Sequence, residues 1–411
     1  MSLKHYILYI SLYGCVLLGV MYAFVSFFSP ASLSIVQWDA SWYIDIAHSG
    51  YFFLADKHSS VAFFPLLPWL IRLLPHNIVY LTSALVALNV ISFRCLSLTG
   101  EKNSKDLLLF LSSPLILYFF VPYTESLFLF GAVLILLALE KRHISLLIAG
   151  TFIAILSRYA AIILVPALLL TGLYEIWNAK EKTKSSLLLY GSGILSLIIG
   201  LAVVSYIQYR ATGTWNGYQQ THIHWGHYLR WPTIPFYSAM GSSMLLLDQV
   251  ALLISIISAI TILVSFWYMY KGQPFISFSN IQFLSLCYLA GSGASMILFQ
   301  GGSLDSLGRY IFATAFIYPL FSVLRNLTFK PLHLIYIFIG SSLFFLFTGS
   351  LSSVLHFIAN EVIAFSLMVF YLLIHRNNNE VRPWNYLLIW ATGLGIQCLL
   401  FFLYLRGDWV E

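Results

Sequence analysis

Long apolar runs separated by short polar breaks constrain this chain before anything else does. Residues 6–28, 78–98, 107–122, 124–140, 144–158, 160–177, 186–208, 245–270, 281–299, 310–325, 332–349, 355–374 and 385–405 each read as a near-continuous hydrophobic stretch. A helix of roughly 20 such residues crosses a hydrocarbon core. Only 9% of the 411 residues are charged and 60% are hydrophobic, where a soluble domain carries about 25% charged residues. The runs also lack the alternation, roughly ten residues per strand, of an outer-membrane barrel. The expected architecture is an all-α polytopic membrane protein, one domain with about 13 transmembrane helices. No basic face concentrates the net charge of +6, so nucleic acid is not an expected partner. Cys15, Cys95, Cys287 and Cys398 lie in or beside apolar runs without metal spacing and read as small hydrophobes.

Lys and Arg set the expected orientation. With the N-terminus cytoplasmic and every run crossing, fourteen basic residues fall inside and seven outside, as the positive-inside rule requires. The inner loops are short and solvated. Three outer loops, 29–77, 209–244 and 300–309, are longer, aromatic, and carry the His and Asp residues. The expected site therefore faces the periplasm, the exterior or a lumen. Pro65 and Pro68, three apart, predict a kinked or broken interfacial segment.

Within loop 29–77, residues 36–51 gather Trp38, Asp39, Trp42, Tyr43, Asp45, His48 and Tyr51 at the exit of the first run. Ionisable groups near hydrocarbon are expensive and tend to be functional. Asp39 reads as a general base whose carboxylate is desolvated by neighbouring aromatics, or as the N-cap of a short helix. Asp45, six residues on, faces elsewhere and forms no carboxylate pair with it. Asp45 reads as structural or as a second ligand, and His48 and Tyr51 as substrate ligands or interfacial residues. Glu125, in Tyr123-Thr124-Glu125-Ser126, either favours a helix dipole or points into the same outer cavity. Arg158 interrupts an apolar run and wants an anion.

His222, His224 and His227 lie with Gln220, Trp225 and Arg230. The mix suits phosphate or sugar hydroxyls better than a metal, although a divalent cation stays open. Arg309, after the Gln300-Gly301-Gly302 turn, reads as a phosphate clamp or a snorkelling cation. Soluble catalytic signatures are missing from the sequence: no P-loop, no GxGxxG, no nucleophile elbow, no CxxC.

Trp38-Asp39, Tyr43, Ile46-Ala47, Gly50-Tyr51 and Phe63-Phe64-Pro65-Leu66-Leu67-Pro68 resemble the GPI mannosyltransferase II (PIG-V-like) family. So do Tyr123-Thr124-Glu125-Ser126, Gln220…Trp225-Gly226 and Ser306-Leu307-Gly308-Arg309-Tyr310. That family belongs to the polytopic glycosyltransferases of the C fold. The resemblance implies an inverting transfer of a hexose, usually mannose, from a polyprenyl-phosphate donor to a hydroxyl of a lipid or glycan acceptor, with Asp39 as base. Trp38, Tyr43, Tyr123, Glu125, Arg158, Arg309 and Tyr310 would line the site, with the 220–230 loop bound to substrate. Two positions depart from the pattern: His227 stands where an Arg is expected, and Ser157-Arg158-Tyr159-Ala160 lacks an Arg-x-Asn-Gly-like run. The rival expectation is a flippase or transporter for a lipid-linked sugar, which needs polar residues along a transmembrane path.

Overall fold

The computed structural model describes residues 34–54, 57–74, 77–99, 104–178, 183–238, 242–273, 277–326, 331–349, 354–375 and 383–410. The expected first span, 6–28, lies outside the described residues. Helices α1 (Asp39–Ser49), α2 (Leu66–Leu73), α3 (Ile78–Leu96) and α4 (Ser104–Leu111) come first. Next are α5 (Glu125–Lys141), α6 (Ile144–Ser157), α7 (Leu164–Asn178), α8 (Thr183–Thr212) and α9 (Gly217–His224). Then follow α10 (Ser242–Tyr270), α11 (Asn280–Gln300), α12 (Leu307–Phe312), α13 (Tyr318–Asn326), α14 (Pro331–Thr348), α15 (Val354–His375) and α16 (Pro383–Leu405). No strand occurs among the described residues; a lone bridge joins Tyr237 to Ser303.

Seven helical segments are long and apolar enough to cross a membrane: Ile78–Leu96, Tyr159–Asn178, Thr183–Thr212, Leu245–Tyr270, Asn280–Gln300, Phe357–Ile374 and Trp384–Leu405. The molecule is thus an α-helical, multi-pass membrane protein. Two expected spans are not continuous helices. The run 107–122 is α4 followed by a 3-10 turn, Pro114–Phe119, because Pro114 cannot donate into a preceding α-turn. The run 310–325 is divided into α12, a 3-10 turn at Ala315–Ile317, and α13. Pro65 and Pro68 do not kink their segment. Pro65 precedes α2 and Pro68 sits in its first turn, where the missing N–H costs nothing.

Local chemistry sets several ends. Ser279 and Gln282 form a capping box at the start of α11, and Gly301, at φ 71°, ends it in the left-handed region. Between α5 and α6 the backbones nearly touch. A Cβ built on Gly131 would lie 2.8 Å from the Gly150 carbonyl oxygen, and one on Gly150 would lie 2.7 Å from that of Gly131. This small-on-small contact is the usual device for packing helices in lipid. Inside α7, Glu175 ties elements together: Ser186 and Tyr190 donate to its carboxylate at 2.8 and 2.7 Å, Asn280 at 2.6 Å, and Arg142 pairs with it.

The apolar core runs through Phe128, Phe283, Leu284, Tyr288 and Phe316. A second cluster holds Tyr43, Ile46, Phe63, Leu67 and Leu85 under α1 and α2. Arg72 of α2 fixes α1 by donating to the carbonyls of Ile46 and Ala47 at 2.9 and 2.8 Å. From the other end of the chain, Tyr404 donates to Ile35 O at 3.1 Å, and Trp409 packs edge-on against Trp38 at 4.8 Å.

Candidate functional site

Four charged side chains from distant parts of the sequence meet beside the start of α1. Arg309 lies 3.3 Å from the Asp39 carboxylate and 2.7 Å from Glu125 Oε1. Its Nε donates to the same Glu125 oxygen at 2.8 Å, and Arg158 donates to it at 2.9 Å. The order is Asp39, Arg309, Glu125, Arg158. Glu125 is fully buried and the two arginines nearly so, while the Asp39 side chain keeps 24% of its surface exposed. A buried carboxylate is tolerated when paired and hydrogen-bonded; two guanidinium groups do that for Glu125. The second oxygen, Oε2, is buried without a hydrogen-bond partner.

Rings wall the cluster. The Arg309 guanidinium sits over Tyr118 at 4.8 Å and Tyr123 at 4.9 Å. Arg158 sits over Tyr310 at 4.6 Å. Cations over ring faces are stabilised by the ring quadrupole, and the faces also block Arg rotamers that would break the pairs. The Tyr123 hydroxyl reaches the Gln37 carbonyl at 3.3 Å, anchoring the segment that leads into Asp39.

Asp39 is the first residue of α1. The position before it, which has no side-chain cap, is Trp38, so Asp39 is not an N-cap. Trp38 has φ 50° and Ser306, which precedes the helix bearing Arg309, has φ 71°. Among the described residues these are two of three non-glycine positions with positive φ. Such backbone is strained and clusters at functional sites. Asp248 supplies what Ser306 lacks: its Oδ1 accepts the Gly308 N–H at 2.7 Å from a fully buried position, capping α12 and so orienting Arg309. Burial pushes the Asp39 carboxyl above its ordinary range. Glu125 pushes the same way, and Arg309 opposes without cancelling the shift.

The other expected site residues divide. Tyr43 is buried beside Asp39, and burial together with that carboxylate pushes its hydroxyl up. Tyr51 donates to Phe63 O at 3.1 Å and serves the loop. His48 bonds Ile44 O of its own helix at 2.8 Å and is exposed, as is Asp45. Trp225 packs on Trp42, Phe63 and His58 at 5.9, 6.1 and 4.2 Å. Arg230 donates to the carbonyls of Gly226 and Gln300 and sits over Tyr228, so it staples its loop to the end of α11. It takes no part in the charge cluster. Gln220 is half-buried in α9, and the backbone carbonyl of His224 accepts from His58 Nε2 at 3.1 Å.

His222 and His227 face each other, Nδ1 to Nδ1, at 3.1 Å, and Gln300 meets His227 Nε2 at the same distance. Burial lowers both, His222 to about 3. No group of three or more His, Cys, Asp or Glu residues suited to a metal ion occurs among the described residues.

Two cavities lie away from Asp39. One of about 640 Å³ is lined by Thr99, Asp106, Glu140, Asn280, Gln282 and Ser322, where Asp106 holds Arg325 at 2.7 and 3.1 Å. The other, about 230 Å³, lies between α8 and α9.

Sequence reasoning missed Asp248, Tyr118 and Glu175. An acid inside an apolar run is itself a signal, and Asp248 and Glu175 both carried it. Compared with models of protein families, with curated proteins and with solved structures, the chain matches none.

Proposed function

We propose that this chain is an inverting glycosyltransferase of the membrane, moving a hexose, mannose by preference, from a polyprenyl-phosphate donor to a hydroxyl of a lipid or glycan acceptor. One observation carries the reading. A partly exposed carboxylate with a raised pKa stands at the end of a buried chain of alternating charges. Asp39 takes the acceptor hydroxyl proton as that oxygen forms its bond to the anomeric carbon. The bond from that carbon to the phosphate oxygen breaks, and the lipid phosphate leaves as an anion that needs no general acid. A base with its pKa nearer the working pH is the more effective one.

The two arginines have distinct duties. Arg309 is engaged by both carboxylates, so it sets the position of Asp39 and has little freedom to clamp phosphate alone. With both acids ionised the four groups are formally neutral; once Asp39 holds the proton they carry one positive charge. That gain arises as the phosphodiester, already an anion, takes up a second negative charge on leaving, which is the kind of electrostatic matching that lowers barriers.

The flippase reading draws on the polar cavity around Asp106 and Asn280, which gives polar groups at a second place. It is the weaker reading, because the four charges around Asp39 are gathered in one cluster and the cavity at Asp106 shares no lining residue with them. The test is incubation of purified protein with labelled prenyl-phosphate mannose and a membrane lipid extract. Asp39→Asn is expected to lower product formation by about 10²–10⁴ while leaving the protein folded. Wild-type rates in that variant would end the assignment of Asp39.

A further inference from the structure

The cavity of about 230 Å³ between α8 and α9 is walled by aromatic rings and rimmed by amides and a hydroxyl. Tyr159 and Tyr218 stack at 5.1 Å with 24° between their planes. Trp215 has one face against Tyr209 at 4.4 Å, lines the cavity, and is 66% exposed. Ser205, Asn216 and Gln219 line it too.

Flat aromatic faces beside amide and hydroxyl groups match a polyhydroxylated ring, with apolar C–H faces and a belt of donors and acceptors. The volume is below the roughly 300–1,000 Å³ of pockets for drug-sized ligands, so it suits one ring and not a glycan chain. The cavity wall also joins the charge cluster. Tyr159 follows Arg158 directly in sequence, and Arg158 rests on Tyr310 and pairs with Glu125.

We propose that this cavity is a carbohydrate subsite that seats one pyranose-sized ring, connected to the Asp39 cluster through the adjacent residues Tyr159 and Arg158. It rests on the transferase reading for its place in a reaction, and on its own lining for its ligand. The ring is either the donor hexose or a sugar of the acceptor, since both offer the same chemistry.

The test uses full-length protein in lipid nanodiscs, titrated with methyl α-mannoside and followed by saturation-transfer NMR. Saturable binding is expected. Gln219→Ala and Asn216→Ala should each weaken it about fivefold, the effect of one lost hydrogen bond. Trp215→Ala should weaken it more, and Trp215→Phe should restore most of the loss. Binding that does not saturate, or that ignores all four variants, overturns the subsite. In the transfer assay a raised KM for the prenyl-phosphate sugar identifies the ring as the donor's, and a raised KM for the acceptor identifies it as the acceptor's. The two readings fail separately. Sugar binding that depends on Trp215 in a protein without transfer activity keeps the subsite and removes the transferase; Asp39-dependent transfer with unaffected sugar binding does the reverse.

Discussion

Glu125 is the residue on which the charge cluster depends. It pairs with two arginines from a fully buried position, so removing its charge leaves two buried cations facing the single carboxylate of Asp39. Glu125→Gln is expected to destabilise the fold by about 3–5 kcal/mol, read as a lower thermal midpoint in detergent; an unchanged midpoint would contradict the pairing. His222 gives the pH prediction. Its folded value of about 3 lies below its ordinary one, so the folded state favours neutral imidazole. The stability it contributes is complete above about 6.5 and is lost as pH falls from there toward about 3. His222→Phe, which keeps a ring without a proton to bind, should flatten the fall of the thermal midpoint between pH 7 and pH 4. An equally steep fall in that variant would show that acid acts elsewhere. Asp39 and Arg309 were legible because charge in so apolar a chain stands out. Their pairing with each other was not. The bond from Arg309 to Glu125 spans 184 positions, and no local period or spacing encodes a contact at that separation.

At the scale of elements, hydropathy located the long spans but not the breaks between helices. Hydrophobic content measures transfer into lipid and is blind to φ and ψ, so the 3-10 turns at Pro114–Phe119 and Ala315–Ile317 were hidden within apolar runs. Those turns matter, since the first carries Tyr118 under Arg309 and the second follows α12. Glycine discriminates contact from mere presence. Gly131→Ala places a Cβ within 2.8 Å of the Gly150 oxygen, whereas one on Gly191 meets nothing within 4 Å. Gly131→Ala is expected to cost about 1–3 kcal/mol. Gly191→Ala should be neutral or stabilising by the ordinary helix preference of alanine, up to about 1 kcal/mol. Thermal midpoints of both variants check the contrast, and equal effects would remove the close-packing argument.

For the whole molecule, the asymmetry of Lys and Arg is the basis for sidedness. The orientation expected from it, with every run crossing, has residue 231 outside and residue 271 inside. In a background lacking Cys15, Cys95, Cys287 and Cys398, Trp231→Cys should react with a membrane-impermeant maleimide in intact cells, and Lys271→Cys only after permeabilisation. Trp231 is 89% exposed, so burial does not confound the reading. The reverse pattern would invert the topology and move the Asp39 cluster to the cytoplasmic face.

The packing of Trp409 on Trp38, with Tyr404 holding Ile35, has a practical bearing on any preparation of this protein. Material nicked near Arg406 would run almost true to size and keep its helical spectrum, yet the turn that presents the carboxylate would have lost its backstop. For the proposed transferase, partial turnover in an apparently pure sample would then measure clipping at the far end of the polypeptide, and intact mass should be recorded alongside every rate.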